Sequence, residues 1–525
     1  MQITKIILSA YLFLLAIGIA CSEANEPDFT AFRGAGIIDK LGPGWFPPET
    51  FRESDFAYLA SIGANFVRIP IAYHHFADDH NLAKLDEAKM QEVDQAIEWS
   101  KKYGLHACLS IFWTPGYYVG DPWQTDNLWE SSQKQAIFAG YWKAFTKRYA
   151  HVSNLDLSFN LLNEPDWYVT EEQYVFVIRQ AIEEIRALDT SRWIVVDGLR
   201  SGRLPIMSLA NEARVAQAVH FYEPFAFTHY KAHWIKYGGT RLPKPSGWPA
   251  PRMTEHLFGP GQSVKNLRTV SPIQISGNFK AGSLIKVHIG WLYGNSSLPL
   301  RLELRLDHQD SASGSFEFDF THEKVRDLEA EQSSNKAISG YWYNRGWEYK
   351  LEKDSEHVNL LITSGDRMSI RSIEIQHPNN DKKAVCYPGS NEWIKQESEL
   401  VYDADANHLQ TSLFYDQVWI QDHLLKSWKQ LGDKGVPIMV QEFGTHNGTQ
   451  YEPAMAYLKD CVVAFEALDW GWSLYSLRYT LGWLDSGRVN VQQGVTEDGT
   501  KVDLKYEELV TELISQKAAS NSHNL

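Results

Sequence analysis

The chain has 525 residues, of which 44% are hydrophobic and 22% charged; that length calls for two domains, or for one large barrel with an insertion. A formal net charge of -15 argues against nucleic acid or an anionic membrane surface as a charge-held partner, because both need a positive field. The 19 Trp and 25 Tyr exceed what most cores need, and flat rings of this kind stack on sugars as well as filling interiors.

The amino terminus reads as an export signal. Lys5 precedes an apolar stretch from Ile6 to Ala20, too short for a comfortable membrane span. Two cleavage positions stand open. Gly18-Ile19-Ala20-Cys21 resembles a bacterial lipoprotein site, with a signal over residues 1–20 and a lipid anchor on Cys21 that would tether the protein to a membrane. Cleavage after Ala24 is the plain secretory alternative, with a signal over residues 1–24. Either way the protein is expected to be secreted or held in the cell envelope. Cys108, Cys386 and Cys461 remain, an odd and sparse set that does not read as a disulfide framework. Cys-x-x-Cys and His-Glu-x-x-His are both absent, so the expectation is no metal and no cofactor.

From residue 30 onward, short apolar strands alternate with amphipathic helices. Ala31 to Gly36 is a first strand and Glu53 to Ser61 a helix. Asn65 to Ile71 is a second strand. Met90, Val93 and Ile97 share one face of a helix from Glu87 to Tyr103, which stops at Gly104. His106 to Trp113, Leu155 to Leu162, Trp193 to Val196 and Val215 to Phe221 supply four more strands, with helices at Ser132 to Tyr149 and around Val175 to Ile185. Alternation of this kind means a parallel sheet with helices outside.

The period changes from about residue 265 to 377. Leu300, Leu302, Leu304 and Leu306 alternate with Arg301, Glu303 and Arg305; Phe316, Phe318 and Phe320 alternate with Glu317 and Asp319. Such strands are half-buried and antiparallel. They imply an inserted β-sandwich. Tyr341, Trp342, Tyr343 and Trp347 cluster in YWYNRGW and either stack on carbohydrate or pack the sandwich. Helical and strand patterns then resume, with a helix near Thr411 to Leu431, a strand from Val436 to Glu442, a helix near Ala454 to Leu468 and a strand from Trp470 to Tyr475. Six units plus two make eight, the count for a (β/α)8 TIM barrel. The expected domains are a first barrel part over 27–260, the sandwich over 265–377 between strands six and seven, and a second barrel part over 380–517.

Reactive groups of such barrels sit at the carboxyl ends of the strands. Those ends carry Arg68 in strand two, Asn163 and Glu164 after strand four, His220 and Tyr222 at strand six, Glu442 at strand seven, and Trp472 and Tyr475 on strand eight. Two carboxylates from different strands, flanked by Arg, Asn, His and aromatics, suit glycoside cleavage. One carboxyl protonates the leaving oxygen and the other attacks or stabilises the cationic anomeric carbon. Read singly, several of these positions have duller explanations. A Glu after a strand is usually a solvated loop residue, a lone His is often a satisfied core residue, and Trp472 is as readily core as site. Trp113 and Tyr117 are candidate sugar platforms, His74 and His75 candidate cleft residues, and Asp485 with Arg488 a structural turn pair.

The ordered run of RGAG at Arg33, NFVRIPI at Asn65, FNLLNEP at Phe159, HFYEP at His220, VQEFG at Val440 and WGWSLYSL at Trp470 resembles glycoside hydrolase family 5, the cellulase-like group. The resemblance covers about residues 30–250 and 400–515. The segments THYKAHW from Thr228 and LDSGR from Leu484 are similar to one bacterial subgroup of it. It implies a retaining hydrolase of β-glucan, β-mannan or a related polysaccharide. By that analogy Glu164 is the acid/base, Glu442 the nucleophile and Asn163 a ligand of the sugar 2-hydroxyl. Arg68 and Tyr222 orient Glu442, and His220 sets the ionisation of Glu164. Two positions depart from the family pattern. Phe112 stands near the end of strand three where a histidine is usual, and Tyr475 stands where strand eight usually offers a Trp. Both lie where substrate is read. A transglycosylase with the same glutamates, or a non-catalytic carbohydrate-binding protein on a decayed barrel, remain alternatives. Arg68 beside Glu442 leads to the expectation of a lowered Glu442 pKa.

Overall fold

Eight parallel strands pair in sequence and close on themselves in the computed structural model: β1 (Arg33–Gly36), β2 (Phe66–Ala72), β3 (His106–Trp113), β4 (Leu157–Asn160), β5 (Ile194–Asp197), β6 (Val215–Phe221), β7 (Ile438–Phe443) and β8 (Gly471–Leu474). The structure describes residues 26–42, 50–119, 126–166, 169–235, 242, 245, 247–261, 272–294, 298–320, 339–388, 398–411 and 413–521. The export signal, Cys21 included, lies outside the described residues. Among those described, no helix is long and apolar enough to cross a membrane.

The strands are apolar on both faces because helices cover the outside and side chains fill the inside. Helices Glu53–Ser61, Glu87–Lys102, Ser132–Arg148, Glu171–Arg186 and Tyr451–Glu466 bury one stripe each against the sheet. Met90, Val93 and Ile97 do so from the second of these, and Asp86 caps it by accepting from the Ala88 and Lys89 amides. The closing contacts are tight: a Cβ on Gly34 of β1 would lie 1.8 Å from the Phe66 carbonyl of β2. Inside the barrel, the amino-terminal end is plugged by Phe29, Phe32, Phe66, Ala216, Ala218 and Met439. The opposite end is polar, and it carries the site.

Between β6 and β7 the chain leaves the barrel and builds two sheets. One is ordered His256–Phe258, Arg367–Gln376, Leu284–Gly294, Ser339–Lys350, with Lys383–Cys386 also on Arg367–Gln376. The other is ordered Gly314–Phe318, Leu300–Leu306, Ser355–Ser364, Ile273–Phe279, Ser398–Asp403, His408–Thr411. Ile285, Val287 and Ile289 from the first sheet and Leu302, Leu304, Val358 and Leu360 from the second share one apolar core. This is the period-two region of the sequence, but the sheets run from 256 to 411 instead of 265 to 377. The terminal strands were hidden because they are short. Some of them also pair far along the chain, as in the parallel match of Ile273–Gly277 with Ser398–Tyr402. The region after 380 therefore starts in the sheets and rejoins the barrel later. The helix expected from Thr411 to Leu431 is shorter and broken: Thr411 ends a strand, Asp416 caps Gln417–Trp419, a π turn spans Ile420–Leu424, and Lys426–Gly432 completes it.

Candidate active site

Strand ends aim a set of buried polar groups at one point. Arg68 projects from β2 into the barrel and is 1% exposed. Its Nη1 donates to Glu442 Oε1 from β7. Its Nη2 lies 2.7 Å from Asn163 Oδ1, 2.9 Å from Asn160 Oδ1 and 3.1 Å from Ser110 Oγ. A planar guanidinium with fixed donors is suited to this fan of acceptors, and an ammonium is not. Tyr222, just past β6, donates its hydroxyl to Glu442 Oε2 at 3.0 Å. Both oxygens of Glu442 are thus held, by Arg68 on one side and Tyr222 on the other.

Glu164 is fixed through its backbone. Its φ of 47° lies in the left-handed region, a conformation that costs a non-glycine residue about 1–3 kcal/mol unless its surroundings compel it. They do. The Glu164 amide donates to Asp197 Oδ2 at 3.0 Å. The Glu164 carbonyl accepts from the Tyr117 hydroxyl, which also reaches the Asn163 carbonyl at 3.1 Å. The Asn163 amide donates to the Ile111 carbonyl at 2.9 Å. The strained turn throws the Glu164 side chain toward the barrel axis, where His220 Nδ1 meets its Oε1 at 2.9 Å. The same Nδ1 is 3.3 Å from Glu442 Oε2, and His220 Nε2 is 3.2 Å from Asp197 Oδ2.

The electrostatics follow from this enclosure. Burial would pull the His220 pKa down, but the Glu442, Asp197 and Glu164 carboxylates overcome it and hold the ring above its ordinary value. Burial pushes the Glu442 carboxyl up, and His220 and Arg68 oppose that without cancelling it. The expectation of a lowered Glu442 pKa is therefore overturned. It weighed the cation at Arg68 and left out the desolvation of a carboxyl that is 2% exposed. Burial, with the charge of Glu442 behind it, also holds the Tyr222 and Tyr475 hydroxyls well above the ordinary tyrosine value.

Of the residues singled out in the sequence, Arg68, Asn163, Glu164, His220, Tyr222, Glu442 and Tyr475 come together. Trp472 does not. It lies in the apolar layer outside the sheet, 5.9 Å from the Phe443 ring, and its Nε1 donates to Glu466 Oε1 at 3.2 Å. Strand alternation sends Ser473 inward and Trp472 outward. Tyr117 is 1% exposed and acts as a clamp on the Asn163–Glu164 turn, so it offers no ring face to a sugar. Trp113 packs with Phe112, Ile38 and Leu41 beside the mouth. His74 lies edge-on to Trp113 at 6.4 Å, and burial lowers the pKa of both His74 and His75. Asp485 pairs with Arg478 at 2.7 Å, and Arg488 holds the Thr445 and Thr449 carbonyls at 3.0 and 3.1 Å; they are structural, but not with each other. The sequence reading missed Asp197, Asn160 and Ser110. Asp197 ends β5 as surely as Glu442 nears the end of β7, so a census of every polar strand end would have found it.

Glu164, His220 and Glu442 have ligand atoms all within 4.8 Å of one another, a spacing a cation could use. Here Arg68 already faces Glu442, and the carboxylates around His220 favour protons on its nitrogens. The donor set suits proton transfer better than metal coordination.

Residues 22–249 match the family model described as cellulase (glycosyl hydrolase family 5). Endoglucanase C of Acetivibrio thermocellus is 31% identical over 188 residues, which is 35% of this chain and 53% of that protein. Cellodextrinase A of Ruminococcus flavefaciens is 27% identical over 192 residues, 35% of this chain and 54% of that one. The chain thus spans about half the length of these curated relatives. A crystal structure described as a glycoside hydrolase superposes with a TM-score of 0.56 at 20% identity, over 92% of this chain and 99% of its own, which speaks to the fold alone. The matched segment holds Arg68, Asn163, Glu164, His220 and Tyr222, and the barrel closure brings Glu442 to them from outside it. Residues 22–249, which carry the first six barrel strands, are thus similar to the cellulase family, glycosyl hydrolase family 5.

Proposed function

We propose that this chain is a retaining glycoside hydrolase that cleaves β-linked glycans of the β-glucan or β-mannan type by double displacement. One observation carries the reading: a carboxylate oxygen of Glu164 and one of Glu442 lie within 4.8 Å of each other. Retaining enzymes hold their carboxyl groups about 5–5.5 Å apart, and inverting ones about 6.5–9.5 Å apart to fit a water. Glu442, gripped by Arg68 and Tyr222, attacks the anomeric carbon as the leaving oxygen takes the proton of Glu164. A glycosyl ester forms on Glu442. Water then resolves it, with Glu164 returned to the role of base. The Asn163 amide nitrogen is buried without a protein partner, a donor left over for a sugar hydroxyl. The names of the relatives support a β-glucan, and the export signal expected over residues 1–24 suits a polymer met outside the cytoplasm. A transglycosylase would use the same ester and differ only in its acceptor.

A 2-deoxy-2-fluoro β-glycoside with a good leaving group tests the reading, because the fluorine slows breakdown of the ester. Mass spectrometry of a digest should find the label on the peptide containing VQEFG, and NMR should find β-configured first products. A label on another carboxylate overturns the nucleophile, and α-configured products overturn retention. No turnover on a panel of β-glucans and β-mannans would leave a binding protein on a decayed barrel.

A further inference from the structure

Asp197 is a buried carboxylate that the two-glutamate mechanism does not use. It is fully enclosed at the end of β5, with its Oδ1 2.7 Å from the Asn160 amide. Its Oδ2 is shared among three groups: the Glu164 amide at 3.0 Å, His220 Nε2 at 3.2 Å and Arg68 Nη2 at 3.8 Å. One oxygen therefore touches the backbone of the proposed acid, the ring between the two glutamates, and the guanidinium that grips the proposed nucleophile. We propose that Asp197 is a positioning residue that keeps His220 as an imidazolium, so that the Nδ1 proton can follow the negative charge from Glu442 to Glu164 as the reaction proceeds.

This rests on the double-displacement reading and deepens it. Before the first step Glu442 carries the charge and Glu164 the proton. After it, Glu442 is a neutral ester and Glu164 is the carboxylate. His220 Nδ1 lies 3.3 Å from Glu442 Oε2 and 2.9 Å from Glu164 Oε1, so one proton faces whichever glutamate is anionic without a rotation of the ring. A neutral imidazole would serve this purpose only with its proton on Nδ1, and nothing would fix that tautomer. The Asp197 carboxylate lies 3.2 Å from Nε2 without hydrogen-bonding alignment, and its charge favours a second proton there, so that Nδ1 keeps its own. Gly202, at φ 76°, packs so close that a Cβ there would lie 2.5 Å from the His220 Cβ.

The charges around the ring balance. Arg68 and the imidazolium are positive, Asp197 and Glu442 negative, and Glu164 neutral while it holds its proton. Glycosylation moves one negative charge from Glu442 to Glu164 and leaves that sum unchanged. The ring is faced by Glu164 from the turn after β4, by Asp197 from β5 and by Glu442 from β7. Arg68 from β2 reaches it through Asp197 and Glu442. The Tyr222 and Tyr475 hydroxyls flank Glu442 and stay protonated. Carboxylates on these sides hold the His220 pKa up against its burial.

The test uses the full chain with labelled histidine. In the wild type, NMR should find both His220 ring nitrogens protonated at pH 7, with deprotonation only at higher pH. A neutral His220 at pH 7 overturns the proposal, whatever the variants do. In Asp197→Asn the His220 titration and the basic limb of the kcat/KM profile should both move to lower pH, by about one unit or more. Asp197→Glu, which keeps the charge, should return the limb toward the wild-type position. A residue that merely braced the turn would lower Tm and kcat and leave both titrations in place; that result would also overturn the proposal. The NMR readout needs no turnover, so an enzyme inactive on every glycan would sink the double-displacement reading without deciding this one.

Discussion

The barrel and the sandwich solve opposite problems with buried side chains. Inside the sandwich, Ile285, Val287, Leu302, Leu304, Val358 and Leu360 meet face to face, and the charged partners of the alternation point outward. Inside the mouth of the barrel, Arg68, Asp197, His220 and Glu442 are all no more than 2% exposed. Burying charge is costly unless each group is paired, and here Arg68 and Glu442 face each other, Asp197 takes the Asn160 amide and His220 meets Glu164. The apolar plug of Phe32 and Phe66 sits at the other end of the same barrel. Stability is built at one end and in the appended sheets, and chemistry is placed where stability is spent.

Substitutions should separate the two regions sharply. The largest effect is expected at Glu442. Glu442→Gln removes the proposed nucleophile and should lower kcat by about 10⁴-fold or more on every substrate, as the loss of a group acting as part of a unit does. A Glu442→Gln variant within tenfold of wild type would end the assignment. Glu164→Gln should cost about 10²–10⁴-fold on natural glycans. It should spare aryl glycosides whose leaving group needs no proton. Equal damage on both substrate types would contradict the acid role.

The pH profile offers a finer cut. A nucleophile must be ionised, and activity is lost as pH falls through its folded pKa. Burial raises that pKa for Glu442, so the acidic limb of kcat/KM should lie above the ordinary glutamate value of 4.5. A limb at or below 4.5 would mean that Arg68 and His220 outweigh desolvation. The sandwich should show the reverse behaviour. Leu302→Ala removes a fully buried side chain and should cost about 2–5 kcal/mol of sandwich stability. Calorimetry should place that loss in one of two transitions, with the kinetics unchanged.

How much of this was legible in the sequence divides along the same line. The alternation of apolar runs with helical periods located all eight barrel strands to within a few residues, because each strand pairs with its chain neighbours around most of the barrel and is set off by the helix that follows or precedes it. The outer strands of the sandwich were not legible. His256–Phe258 and His408–Thr411 are three and four residues long with no helix beside them to set them off, and the first pairs more than 100 residues away, with Arg367–Ser369. At the site, Glu164 and Glu442 stood out by motif and by strand-end position. Asp197 did not, because IVVDG is an ordinary strand end until the barrel closes and His220 from β6 lands against it. Trp472 was misplaced for a different reason: an aromatic near a site motif attracts attention, while strand alternation decides which face it takes. The direction of the Glu442 pKa needed burial, which a charge pattern does not carry.

The smallest expected effect is also the sharpest test of the division. The two regions meet at a short antiparallel ladder that pairs Ala250 with Tyr415 and Pro251 with Phe414. Arg252 N adds a bond to the Leu413 carbonyl at 2.9 Å, and the Arg252 guanidinium stacks 3.4 Å over Trp419 on the barrel side. Residues 252 and 413 are therefore held opposite each other by contacts that do not involve the sandwich core. Met253, the next residue, already belongs to that core. Replacing residues 253–412 with Asn-Gly should close the ladder as a two-residue hairpin, the turn such a ladder favours. The barrel keeps its own core, because the two apolar clusters have no residue in common. Far-UV CD and a single calorimetric transition should report a folded barrel. On short soluble glycosides kcat/KM should stay within about twofold of the intact chain, the scatter expected for changes remote from a site. Long chains are the discriminating substrate. The insertion leaves from the loop after β6, on the same face as Glu164 and Glu442, so removing it should alter the ratio of activity on long to short chains. An excised barrel with the same ratio would show that the sandwich takes no part in holding the polymer, and an insoluble one would show that the two cores depend on each other.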